Sequence, residues 1–266
     1  TTILNEGNKC TEFKPGQHLS EVMDVYLPKY ENEESFIMAS HVDRLKQSVC
    51  FKSSEMTCVT CHNPHKSVTN LSASYFDNKC MQCHSVCKEE KTQNCTSCHM
   101  PNSTSTDIQH VSITDHKIAI PSAIKTKKGN FLGLFAINND TPTNLSKAKA
   151  YLKRFESFEQ NPIYLDSAFI LLNKTTIDFP AFIQYYYLKN DNKGLVNFVM
   201  SNTIDSLKYN NSDLALAYSR MAEVFALKNL AVDAKSYYDN AVSLMPFVID
   251  YKLKFGAFLI DNKQLK

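Results

Sequence analysis

The chain has 266 residues, 43% of them hydrophobic and 21% charged, with a formal net charge of only +2. That length allows one or two domains, and so small a charge argues against nucleic acid as a partner. No stretch approaches the roughly 18 apolar residues of a membrane-spanning helix, and Thr1-Thr-Ile-Leu-Asn-Glu lacks the charged start and apolar core of a signal peptide, so a mature chain is expected.

Residues 1–50 show no clear periodicity. Pro15-Gly16 marks a turn, and Pro28-Lys29-Tyr30-Glu31-Asn32-Glu33-Glu34 reads as an exposed loop. Ser40 to Ser48 predicts a short helix, with Ser40 as N-cap and Asp43 in the first turn.

The next stretch carries the chemistry. Cys58-Val-Thr-Cys61-His62, Cys80-Met-Gln-Cys83-His84 and Cys95-Thr-Ser-Cys98-His99 are three C-x-x-C-H motifs separated by 17 and 10 residues. That pattern marks covalent c-type haem attachment. Two thiols three positions apart suit the two vinyl groups of one porphyrin, and the histidine that follows becomes the proximal iron ligand. Three haem c groups are therefore expected, on Cys58, Cys61, Cys80, Cys83, Cys95 and Cys98, with His62, His84 and His99 as proximal ligands. The rival reading, a zinc knuckle or redox dithiol, does not require a histidine beside the second cysteine in all three copies. Haem is attached to such motifs outside the cytoplasm, so an exported protein is expected, periplasmic or at the cell surface.

Three irons need three further ligands for bis-histidine coordination, and five histidines remain. His65, aimed by Pro64, can reach a neighbouring iron but not that of His62. His110 and His116 follow the last motif closely enough to fold over the cluster, and His41 lies on the predicted helix before the first. These four are the candidate distal ligands; His18 reads as surface. Histidines in excess of need favour a six-coordinate electron carrier over a catalyst. The alternative is an oxidoreductase with one five-coordinate haem, acting on a small nitrogen or sulfur oxyanion.

Residues 120–144, with Pro121, Gly129, Gly133 and Pro142, read as a linker or strap. From 145 the pattern is helical, over 145–158, 163–172, 179–188, 194–200, 213–228 and 231–244. The last pair matches the tetratricopeptide pattern: with Pro246 as position 32, Tyr218, Met221, Ala222, Phe225, Ala234, Tyr238 and Ala241 occupy its seven signature positions. A generic helical hairpin would share the amphipathicity but not all seven. A next repeat begins near Ile249 and lacks its second helix. The expected fold is thus mainly α: a haem module over 1–119 with little regular structure, the linker 120–144, and a tetratricopeptide-like solenoid over 145–266, incomplete at its C-terminus. Charge divides similarly, with a net of −3 over residues 1–120 and +5 over 121–266.

Cys58-x-x-Cys61-His62-Asn63-Pro64-His65, Cys95-x-x-Cys98-His99-Met100-Pro101 and Asp107-x-x-His110-x-x-x-Thr114-Asp115-His116-x-Ile118, followed by these helices, resemble the tetratricopeptide-containing multihaem cytochromes c of bacteria. The resemblance covers about residue 41 to the end. It implies an exported electron-transfer protein with mostly bis-histidine haems. A redox partner protein is expected too, and the incomplete last repeat points to one subunit of a larger complex. Two departures stand out. No haem motif lies upstream, where Cys10-Thr-Glu-Phe13-Lys14 keeps only the spacing, and Cys50 stands where such cytochromes often place a distal histidine. A Cys10–Cys50 disulfide, natural in an oxidising compartment, accounts for both thiols and leaves Cys87 odd; ligation of an iron by Cys50 is the alternative.

Overall fold

The structure is a computed structural model that describes residues 1–31, 41–84, 94–104, 112–120 and 129–262, excepting the side chains of Cys10, Ser103 and Thr104. It is mainly helical. In chain order the elements are β1 (Thr2–Leu4), β2 (Met23–Tyr30), α1 (His41–Gln47), α2 (Val49–Lys52), α3 (Cys58–Cys61), α4 (Ala73–Met81), α5 (Cys95–His99), β3 (Asn102–Thr104), β4 (Ser112–Thr114) and β5 (Phe131–Ala136). Seven helices follow: α6 (Asn144–Ser157), α7 (Pro162–Leu172), α8 (Phe179–Leu188), α9 (Asn192–Ser201), α10 (Asn211–Leu227), α11 (Ala231–Leu244) and α12 (Ile249–Asp261). They form two compact units, Thr1–Lys29 with Leu132–Lys266, and Tyr30–Phe131.

The larger unit opens on a three-stranded sheet of order β1-β2-β5. β1 runs antiparallel to β2, with Thr2 opposite Val25 and Leu4 opposite Met23. Val22, Asp24 and Tyr26 alternate inward and are at most 2% exposed. The buried carboxylate is fully engaged: Ser146 Oγ donates to Asp24 Oδ2 at 2.6 Å, and Asn139 Nδ2 donates to Oδ1 at 2.7 Å. The Tyr26 hydroxyl donates to Ser146 Oγ at 2.9 Å, and burial pushes its phenol well above the ordinary value. A buried polar group stripped of its partner costs more than the bond itself returns. Asp24→Ala is therefore expected to lower the unfolding free energy by about 2–4 kcal/mol in urea, against about 1 kcal/mol for Tyr26→Phe.

β5 extends the ladder on the other edge of β2. Ile137 N donates to Val25 O at 2.9 Å, and the Asn138 side chain continues the pattern, accepting from Val25 N and donating to Met23 O, both at 2.8 Å. Where the chain leaves β2, Glu31 N donates to Asn130 O and Asn130 N donates to Glu31 Oε2, each at 3.0 Å. Residues 31 and 130 are thus side by side.

This sheet corrects the boundaries read from sequence. Residues 1–29 belong with the C-terminal helices rather than to a module spanning 1–119, and the expected linker 120–144 contains β5. The inward Asp24 interrupts the apolar alternation that would have announced β2.

The helices begin where polar side chains cap them. Thr143, Asn161, Asp178, Asp191 and Asn210 each accept a hydrogen bond from an N–H of the first turn. α8 and α10 end on asparagines in the left-handed region, Asn190 (φ 56°) and Asn229 (φ 60°). Paired bonds close both ends: Asn190 N to Tyr187 O with Asp191 N to Tyr186 O, and Asn229 N to Ala226 O with Leu230 N to Phe225 O. Each helix packs on the next, and α8 also contacts α6 and α10. One core forms around Leu152, Leu172, Phe182 and Tyr185, and another around Ile183, Leu195, Met221, Phe225 and Tyr238. Met221, Ala222, Phe225, Ala234, Tyr238 and Ala241 are at most 4% exposed, while half-buried Tyr218 stacks on Tyr237 at 6.1 Å.

The smaller unit is built differently. α1 to α5 are short, and β3 and β4 form a two-stranded ladder with Asn102 opposite Thr114. Among its described residues only Arg44 and Ser48 are buried, and no hydrophobic side chain is. Val42, Val49, Val59 and Val68 are 43–73% exposed. With so little apolar burial among its described residues, this unit gains little from them to offset the entropy of ordering it.

Candidate functional site

All three C-x-x-C-H motifs fall in this smaller unit, each in a helical turn. In such a turn residues i and i+3 share a face, which puts the two thiols of each motif on one side. α3 spans Cys58–Cys61, held by Thr57 N donating to Thr60 Oγ1 at 3.0 Å and by His62 N donating to Cys58 O at 2.9 Å. α4 delivers Cys80, and Cys83 N and His84 N both donate back to Cys80 O, at 3.1 and 3.0 Å. α5 is capped by Asn94, whose Oδ1 accepts from Ser97 N at 3.1 Å. Asp77 Oδ1 on α4 accepts from Cys95 N at 2.8 Å, tying the second and third motifs together. Asp77 Oδ2 is buried without a hydrogen-bond partner among the described residues.

The thiols are a mixture of exposed (Cys58, Cys83, Cys98) and half-buried (Cys61, Cys80, Cys95). Burial raises the Cys61 and Cys80 thiols, with the neighbouring Cys50 thiol adding to both. Burial, then the Asp77 carboxylate, pushes Cys95 up to about 11. These three are accordingly neutral thiols at physiological pH.

Three of the histidines come together. The His41 and His116 ring centroids are 4.3 Å apart with planes at 30°, and those of His62 and His116 are 6.2 Å apart at 26°. Phe76 of α4 packs edge-on against His62 at 5.6 Å. The His116 Nδ1 is 3.0 Å from the Thr114 carbonyl oxygen, and the His99 Nδ1 is 3.0 Å from that of Ala119. An imidazole that donates through Nδ1 keeps an unprotonated Nε2, the form that ligates metals. Burial lowers the His116 pKa, and nearby His41 and His62 lower it further against the opposing Thr114 carbonyl, so the ring is neutral near pH 7.

His65 and His84 are exposed, with the His65 backbone N held by Asn63 Oδ1 at 2.9 Å. His18 is exposed in the larger unit. His110 and Cys87 lie outside the described residues, as does the Cys10 side chain of the expected Cys10–Cys50 bridge; Cys50 itself is a half-buried free thiol. Among the described residues, no three His, Cys, Asp or Glu side chains converge as a bare metal ion requires.

Sequence reasoning missed Asp77, which joins two motifs, and the ion pair of Arg44 with Asp115 beside His116. Arg44 carried a signal, since it stands three positions after His41 on the same helix. Asp77 carried none. Comparison of the chain with protein-family models, characterised proteins and solved structures found no match.

Proposed function

We propose that this protein is an exported electron carrier with three covalently attached haem c groups and a tetratricopeptide-like helical unit that docks a redox partner protein. One observation carries the reading: three C-x-x-C-H turns stand in a unit whose described residues bury no apolar side chain. The group that those motifs attach would also be what the unit folds around.

The donor set fits such a group. Each motif offers two thiols on one helical face, and His99 and His116 each have Nδ1 against a carbonyl oxygen and Nε2 directed elsewhere. The His62 and His116 rings are 6.2 Å apart, and these two residues would together hold the haem of the first motif. His41, against His116, is placed to serve a neighbouring centre.

When bound, haem supplies a one-electron ferric–ferrous couple whose potential its axial ligands set. The chain's own residues do the rest. Six cysteines would fix the position, His62, His84 and His99 with distal histidines such as His116 would hold the irons, and the 17- and 10-residue spacings would keep the three centres close. Irons so held would pass electrons without binding a substrate. The seven matched positions and the consecutive packing of α6–α12 support reading those helices as a solenoid, an architecture that presents extended protein-binding surfaces.

The test is spectroscopic. Purified protein is expected to show three low-spin haems per chain, unchanged by carbon monoxide or nitrite. High-spin iron that binds carbon monoxide would replace this reading with the five-coordinate oxidoreductase, and absence of covalent haem would end both.

A further inference from the structure

One largely buried charged contact of the smaller unit lies outside its motifs. Arg44 Nε donates to Asp115 Oδ1 at 2.8 Å and Nη2 donates to Oδ2 at 2.5 Å, with the two side chains only 8% and 14% exposed. Lys117 N donates to the same Oδ1 at 2.8 Å, and Arg44 Nη1 donates to Gln47 Oε1 at 3.3 Å. Desolvating such a pair costs about as much as the attraction returns, so stability alone is a poor account of it. Its geometry is a better one. A guanidinium that meets a carboxylate through two parallel bonds fixes orientation as well as distance.

What it orients follows from its place in the chain. Arg44 is one helical turn beyond His41 on α1, and Asp115 immediately precedes His116. The fork joins two segments 71 residues apart in sequence, and the two imidazoles they carry meet at 4.3 Å. The Asp115 carboxylate is itself locked from both ends. Burial would raise its pKa, but the Arg44 fork and the Lys117 amide hold it below the usual carboxylate value.

We propose that Arg44 and Asp115 are positioning residues that aim the His41 and His116 imidazoles at their irons; this rests on the reading of those two histidines as axial ligands. Neither residue touches a metal. They act by fastening α1 to the segment after β4, so that the ligands are set before the iron is bound rather than by it.

The experiment uses the full haem-loaded chain and compares Arg44→Ala and Arg44→Lys with the parent. Haem content, far-ultraviolet circular dichroism, low-temperature electron paramagnetic resonance and carbon monoxide difference spectra are recorded for each. Arg44→Ala is expected to keep three haems while up to two of them lose their low-spin signal and bind carbon monoxide. Arg44→Lys keeps the charge but not the fork, and is expected to stay low-spin with shifted or broadened g values. If Arg44→Ala does not accumulate, the lysine variant decides alone, and g values identical to the parent's overturn the proposal. Three unperturbed low-spin haems in Arg44→Ala also overturn it while leaving the electron-carrier reading intact. A parent protein without covalent haem defeats the underlying reading instead.

Discussion

Replacing Cys95 and Cys98 together by alanine is expected to reduce the covalent haem content from three per chain to two. Intact mass and haem-stained denaturing gels measure this directly, since only thioether-bound haem survives denaturation. The loss should be confined to one centre. Asp77 accepts from the Cys95 backbone N–H, and Asn94 caps α5 through its own side chain, so neither contact depends on the thiols that are removed. The corresponding pairs, Cys58 with Cys61 and Cys80 with Cys83, should each remove one haem in the same way. Retention of three haems in any of these variants would show that the motif does not attach the group.

The second large effect concerns folding. A chain produced without haem is expected to keep the larger unit and lose the smaller one. The helices α6–α12 bury Leu152, Tyr164, Leu172, Ile183, Leu195 and Phe225, all at most 1% exposed, and side chains of this kind contribute about 1.5–3 kcal/mol each. The smaller unit has no such term among its described residues. Hydrogen exchange should separate the two, with amides in α6–α12 protected by about a thousandfold or more over those in α1–α5. Limited proteolysis should cut within residues 31–130 first. Equal protection in the two units would mean that α1–α5 are held by something other than the attached groups.

How much of this could be read beforehand depended on what each part uses to fold. The C-terminal helices were legible almost to the residue, because amphipathic periodicity and end signals such as Asn161-Pro162 and Asp178-Phe179-Pro180 both reflect the forces that form them. β2 was not, since Asp24 occupies a position that a strand pattern reserves for an apolar residue, and its partners Asn139 and Ser146 are more than 110 residues away. The three C-x-x-C-H motifs were legible as motifs because each is contiguous in sequence, as the proposed covalent chemistry would require. The histidines proposed as distal ligands are under no such constraint. His116 was an expected candidate, but that His41 lies against it, beside the Arg44–Asp115 contact, is announced by no local pattern.

The pairing of residue 31 with residue 130 has a thermodynamic consequence. It ties the two ends of a segment whose bonded ends are 99 residues apart, much as a cross-link would. Closing a loop of that size removes on the order of 4–5 kcal/mol of chain entropy from the open segment. The sheet bears this cost as it forms, and the segment between then orders from an ensemble already narrowed. The expected Cys10–Cys50 bridge would restrain the chain before its first motif. The β2–β5 pairing encloses all three motifs, so fraying of the sheet and loss of the proposed haems should each weaken the other through shared chain ends alone.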